Sequence, residues 1–252
     1  MRIAGLVEYD GTDFKGWQVQ PEGRTIQGEI EKVLAKILQR EIRIVGAGRT
    51  DAGVHSTGQV FHFDIDDLQM GIWELNRGMN ALLPRDIFVH SLLKVDDDFH
   101  ARFSAVSREY VYRIFLGRSP LRRRFVWEFV HQFDLGRIRQ MLPMFLGKRN
   151  FLSFTVQDYN GDAMVDLEVI DIEVVSTKEV EFSFKANRFL HSMIRFIVGV
   201  LCALARGRVD GDFVRNLLEN PRKGSALFKA PPQGLCLVKV NYPKEVFYED
   251  IH

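Results

Sequence analysis

Cysteine is scarce, with only Cys202 and Cys236 among 252 residues. One thiol lies in an apolar run of helical spacing and the other in a strand-like run. They read as two buried side chains, not a disulfide framework, and a cytoplasmic location fits. Long apolar runs are missing too. The most apolar stretch, FIVGVLCALA from Phe196 to Ala205, is about half of the ~20 residues a helix needs to cross a bilayer. No membrane is expected as a partner. The opening MRIAGLVEYDG reaches an acid at Glu8 without an apolar core, so no secretory signal is expected there. The histidines stand at 55, 62, 90, 100, 131, 191 and 252. No two are spaced i, i+4 or H-x-H, and none is near a cysteine in sequence, so no metal is expected. GAGRTDAG starts like a dinucleotide fingerprint, but Thr50–Asp51–Ala52 stands where the third glycine belongs. There is no Gly-Lys-Ser/Thr phosphate loop and no G-x-S-x-G elbow. Redox cofactors and nucleotide hydrolysis lose support, and no cofactor is expected.

Net charge is also small, at +1, but it is unevenly spread. Arg102 to Arg124 holds seven arginines and one acid, Glu109. Asp158 to Glu181 holds eight acids against Lys178. Lys185 to Lys229 holds nine basic residues against three acidic. Two basic segments flanking an acidic one make a local positive field, which suits a polyanion; solvated faces are the plainer reading of any one cluster.

The pattern of elements is mixed. Arg2–Tyr9, Ile42–Val45, Gln59–Ile65, Ile87–Val95, Arg108–Leu116, Val165–Val175, Val180–Ala186 and Leu235–Tyr242 read as strands. Thr25 caps a helix whose stripe is Ile26, Ile30, Val33, Leu34, Ile37 and Leu38. Further helices are expected over Met70–Leu83, Leu135–Leu146 (weakened by Pro143), Phe189–Arg206 and Asp212–Glu219. Strands and helices do not alternate strictly. The fold class is therefore α+β, with two similar lobes, a mainly antiparallel sheet and flanking helices. The division is placed at 1–105, an N-terminal lobe with the Arg49–Asp51 loop, and 106–252, a C-terminal lobe with Tyr110 and Arg195.

The segment GAGRTDAGVHSTG, residues 46–58, is the most suggestive chemistry. In extended backbone, residues i and i+2 point the same way, so Arg49 and Asp51 can face one pocket. A nearby guanidinium keeps a carboxylate ionised, which suits a nucleophile or base. A salt bridge bracing a glycine-rich turn explains the same residues equally well. Phe14 and Trp17 in GTDFKGWQVQ read first as core. Tyr110 sits on a strand face with Tyr112 and Ile114, where it could pack or stack on a base. Arg195 lies inside an apolar helix, where an arginine needs an acid, Asp51 being one candidate, or else snorkels to solvent.

Six blocks then share an order: YDGTDFKGWQVQ (9–20), GAGRTDAGVHSTGQVFHF (46–63), LNRGMNALLPRDIFV (75–89), FHARFSAVSREYVYRI (99–114), FLHSMIRFIVGVL (189–201) and APPQGLCLVKVNY (230–242). Together they resemble the TruA family of tRNA pseudouridine synthases over nearly the whole chain, GRTDAGVH being the most specific. The resemblance implies a pseudouridine synthase fold. It implies isomerisation of uridine to pseudouridine at positions 38, 39 and 40 of the tRNA anticodon stem and loop, without metal or cofactor. Asp51 then matches the catalytic aspartate and Arg49 the arginine of base flipping. Tyr110 matches the tyrosine that stacks on the uracil, and Arg195 the basic residue paired with the aspartate. It also implies a homodimer whose two subunits grip tRNA, at the anticodon stem-loop and elbow, by shape. The chain departs from the pattern at Gln233, at Arg149–Asn150, at Thr155–Val156 and at Asp166–Leu167. Alternatives from other classes are a catalytically silent RNA-binding protein on the same scaffold, and an unrelated nucleoside or sugar-phosphate enzyme.

Overall fold

A computed structural model describes residues 1–244, 246 and 247. The chain divides into two units, one of residues 1–106 with the described residues from 236 onward, and one of Ser107–Leu235. The expected C-terminal lobe, 106–252, thus loses its end to the first unit, and the reason lies in the backbone. Cys236 and Leu237 pair in parallel with His55 and Ser56, and the Ser56 hydroxyl donates to Leu237 O at 2.9 Å. Residues 248–252 of that expected lobe, with His252, lie outside the described residues. No helix among the described residues is long and apolar enough to cross a membrane.

In the first unit the order is β1 (Arg2–Tyr9), α1 (Ile26–Leu38), β2 (Val45–Gly46), β3 (His55–Asp64), α2 (Ile72–Leu82) and β4 (Ile87–Val95), completed by the closing strand Leu235–Asn241. The sheet runs β4, β1, β3, closing strand. β1 is antiparallel to both β3 and β4. Alternate side chains of β1, Ile3, Val7 and Tyr9, join one core with Ile26, Ile30 and Leu34 of α1 and Leu75 and Met79 of α2. Gly5 lies on that same face, where an added Cβ would come within 2.4 Å of the Phe61 ring. Thr25 caps α1 as expected, its Oγ1 accepting from Gly28 N–H at 3.3 Å.

One expected strand shrinks. Ile42–Ile44 pair with no strand, because Glu31 and Gln27 of α1 take up the Ile44 backbone. The Glu31 carboxylate accepts Ile44 N–H at 3.0 Å and the Gln27 amide donates to Ile44 O at 3.2 Å. β3 instead starts four residues earlier than expected, at His55, since the closing strand holds its first residues.

The second unit contains β5 (Ser107–Leu116), β6 (Trp127–Phe129), α3 (Leu135–Met141), β7 (Gly147–Asn150), β8 (Met164–Ser176), β9 (Glu179–Ala186), α4 (Met193–Ala205) and α5 (Gly211–Glu219). Its sheet runs β5, β9, β8, β7 with antiparallel neighbours, and β6 pairs in parallel with β5. α3 stops at Met141 and passes into a 3₁₀ turn, Leu142–Phe145, that contains Pro143. A proline there donates no backbone N–H and would break a longer helix. α4 begins at Met193 and not at Phe189, because Ser192 adopts left-handed backbone with φ 61. Within α4 only Arg195 and Phe196 escape full burial, the pattern of a helix apolar all round. Both units are α+β with mainly antiparallel sheets.

Candidate active site

Residues 47–54 link β2 to β3, and their backbone is tied down on several sides. Ala47 N–H donates to Val60 O at 2.7 Å and Trp17 N–H to Thr50 O at 3.1 Å. The Gln59 amide donates to Gly48 O at 2.8 Å. In the interior the hydroxyls of Tyr9 and Thr50 share a hydrogen bond of 2.9 Å. Thr50 therefore faces inward, and its neighbours face out: Arg49 is exposed and Asp51 half-buried. This is the alternation that extended backbone requires. Asp51 O accepts Val54 N–H at 3.1 Å, closing a turn in which Gly53 takes φ 78, a conformation open to glycine.

The connection from β1 to α1 wraps this loop. Gly16 has φ +93, and a Cβ on it would stand 2.5 Å from Thr50 O. A Cβ on Gly11 would stand 1.9 Å from Val54 O. Phe14 and Trp17 are core, as first expected. The buried His55 accepts Gly11 N–H on Nδ1 at 3.1 Å, beside the Asp10 carboxylate at 3.2 Å. GTDFKGWQ is thus the clamp on the Arg49–Asp51 loop, and Arg49 Nε donates to Gln18 Oε1 of that clamp at 3.0 Å.

In the second unit, Tyr110, Tyr112 and Ile114 are all buried on one face of β5. The Tyr110 ring meets Phe189 edge-on, with centroids 5.1 Å apart at 79°. The Tyr112 hydroxyl donates to Pro231 O at 2.8 Å. Burial pushes the Tyr112 phenol well up, and the Arg195 charge opposes that shift. Arg195 is half-buried. Its Nε donates to Ala230 O at 2.9 Å, and its backbone oxygen accepts Ala230 N–H at 2.9 Å. Segment 228–230 can lie this close to α4 because a Cβ on Gly199 would stand 2.3 Å from Phe228 O.

Arg49 and Asp51 thus share one loop of the first unit, whereas Tyr110 and Arg195 both lie in the second, Tyr110 against Phe189 and Arg195 against Ala230. Sequence reasoning missed the residues that hold them: Tyr9, Thr50, Gln18 and the 228–230 segment. The one signal in the sequence that could have found the clamp is the pair of glycines at 11 and 16, where the backbones approach closely. Of the departures, Gln233 lies in the 3₁₀ turn Pro232–Gly234, Arg149–Asn150 on β7 and Asp166–Leu167 on β8. Among the described residues no group of three His, Cys, Asp or Glu side chains is placed to hold a metal ion.

The fold class is α+β, and a carboxylate and a guanidinium stand two residues apart on one clamped loop of the first unit. The particular family follows from comparison. A family model described as tRNA pseudouridine synthase matches residues 6–104 and 141–243. The chain is 39% identical over 244 residues to tRNA pseudouridine synthase A of Mycoplasma genitalium, covering 96% of this chain and 99% of that protein. It is 38% identical over 244 residues to the protein of the same name from Exiguobacterium, covering 96% and 98%. For that of Maridesulfovibrio salexigens the figures are 36% over 247 residues, with 96% and 90% covered. The chain belongs to the tRNA pseudouridine synthase family.

Proposed function

We propose that this chain isomerises uridine to pseudouridine in tRNA, at positions 38, 39 and 40 of the anticodon stem and loop, and acts as a homodimer that reads RNA shape. The observation that carries the reading is the Arg49–Asp51 pair: a half-buried carboxylate and an exposed guanidinium, two residues apart on a loop inside the family match.

The chemistry suits these residues. The C1′–N1 bond of the nucleoside breaks, the uracil turns, and C1′ joins C5. The hydrogen on C5 leaves to solvent and N1 takes up a proton, so no atom is gained or lost and no redox partner is used. Glycoside hydrolysis commonly takes two carboxylates, one for the leaving group and one for water. Here the base stays in the pocket, so one ionised carboxylate, that of Asp51, suffices. It assists departure of the base either by bonding to C1′ or by removing the 2′ hydrogen. Arg195 supplies the counter-charge that keeps Asp51 ionised.

A stacked uridine is out of reach, and extruding it costs a few kcal/mol. Arg49 fills the vacated space and Tyr110 offers its ring to the extruded base. Stacking of this kind contributes roughly 1–3 kcal/mol per base, which offsets much of the cost. The basic segments 102–124 and 185–229 supply phosphate contacts, and with them a strong salt dependence.

The test is to incubate the protein with unmodified tRNA transcripts and map pseudouridine by carbodiimide treatment and primer extension. Stops one nucleotide to the 3′ side of positions 38 to 40 support the assignment. Modification elsewhere overturns the choice of positions. Tight RNA binding with no pseudouridine makes the chain a silent RNA-binding protein, and no RNA binding removes the reading altogether.

A further inference from the structure

Arg49 is the outer end of a hydrogen-bonded chain that runs into the first unit. Its Nε–H donates to Gln18 Oε1 at 3.0 Å. The Gln18 amide nitrogen donates to Gln27 Oε1 at 2.6 Å. The Gln27 amide nitrogen donates to Glu31 Oε1 at 2.8 Å. Gln27 and Glu31 stand one turn apart on α1, and both are buried. Arg43 pairs with the other Glu31 oxygen at 3.0 Å, with its own side chain 74% exposed.

The direction of every link is determined. A guanidinium only donates, so Gln18 must turn its oxygen to Arg49 and its nitrogen inward. Gln27 is oriented independently by backbone groups. Its oxygen also accepts Val19 N–H at 3.2 Å, and its nitrogen also donates to Ile44 O. The carboxylate of Glu31 can only accept, and it ends the chain. Both amides therefore point their negative ends toward Arg49, with a fixed anion behind them. Aligned dipoles of this kind reinforce one another in a low-dielectric interior.

We infer that Gln18, Gln27 and Glu31 are positioning residues that orient the Arg49 guanidinium before RNA arrives. The inference rests on the reading in which Arg49 assists extrusion of the uridine. An exposed arginine otherwise samples many rotamers. Fixing one in advance removes that ordering from the step in which the base leaves the stack. Burying Gln27 and Glu31 on a helix is costly unless they are fully hydrogen-bonded. The relay satisfies them and carries the restraint outward to the loop.

A double-mutant cycle tests this, using single-turnover tritium release from C5-labelled tRNA together with tRNA binding. Gln27→Leu is expected to slow turnover about ten-fold with binding unchanged. In an Arg49→Ala background it should have no further effect. Arg43→Ala leaves every link of the relay in place and should keep wild-type turnover. An equal loss in both backgrounds, or full turnover by Gln27→Leu, overturns the inference. Should Gln27→Leu unfold, Gln18→Ala, whose side chain is partly exposed, carries the same cycle. A second readout does not need activity: the Arg49 Nε–H, followed by nitrogen-15 NMR, should exchange slowly in the full chain and faster in Gln27→Leu. Identical exchange rates overturn the relay even in an inactive protein, whereas a wild type that releases no tritium overturns the functional reading.

Discussion

The hydroxyls of Tyr9 and Thr50 meet at 2.9 Å in the interior of the first unit. This bond faces Thr50 inward and thereby turns Arg49 and Asp51 outward. Tyr9→Phe removes the partner of a buried Thr50 oxygen. It should lower stability by about 1–3 kcal/mol and reduce kcat more than it raises KM. Thr50→Val should behave similarly, and the double variant should lose less than the sum. Urea unfolding checks the stability; strict additivity would show that the two hydroxyls are not coupled.

Gly16, packed against the 47–54 loop, and Gly48, within that loop, make opposite predictions. At Gly16 the backbone is left-handed, and a Cβ would stand 2.5 Å from Thr50 O. At Gly48 a Cβ would meet nothing within 4 Å. Gly16→Ala should unfold at clearly lower temperature, by more than about 1 kcal/mol. Gly48→Ala should melt like the wild type. A loss of turnover in Gly48→Ala without loss of stability would mark where the substrate backbone approaches.

Arg195→Met keeps an apolar stem in α4 but loses the guanidinium that reaches Ala230 O. Turnover should vanish while tRNA binding is largely kept. Wild-type turnover in this variant would remove Arg195 from the site.

Acid should weaken the first unit through His62. Burial, then the charge of Arg2 and then His100, pull its imidazole from 6.5 to about 4. Neutral Nδ1 accepts Ala101 N–H at 3.1 Å. The unfolded chain takes up this proton near 6.5 and the folded chain only near 4. The contribution is therefore complete above 6.5 and is lost as the pH falls from 6.5 through about 4. The wild-type urea midpoint should drop between pH 7 and 4.5. His62→Asn, which keeps an acceptor for Ala101, should drop less; an equal drop would contradict the assignment.

Much of this architecture was legible from spacing. The Thr25 cap and the stripe from Ile26 to Leu38 placed α1, and β4 has the expected ends, Ile87–Val95. The failures have physical causes. The apolar run from Phe189 looks helical throughout, but a single left-handed residue, Ser192, delays α4. Trp127–Phe129 and Gly147–Asn150 are too short, and the second too polar, to show a two-residue period. At the site, Arg49 and Asp51 were visible because glycines bracket them. Gln27 and Glu31 were not, since they are polar residues just outside the apolar stripe of α1, where a helical wheel does not separate burial from exposure. Only the tertiary structure reveals that they face the backbone of Ile44.

The most direct measurement is tritium release from C5-labelled uridine in an unmodified tRNA, made side by side with wild type and Asp51→Asn under conditions where both bind the RNA. The expected result is release by the wild type and none by Asp51→Asn. Equal release by the two proteins would show that the carboxylate of residue 51 does not carry the reaction.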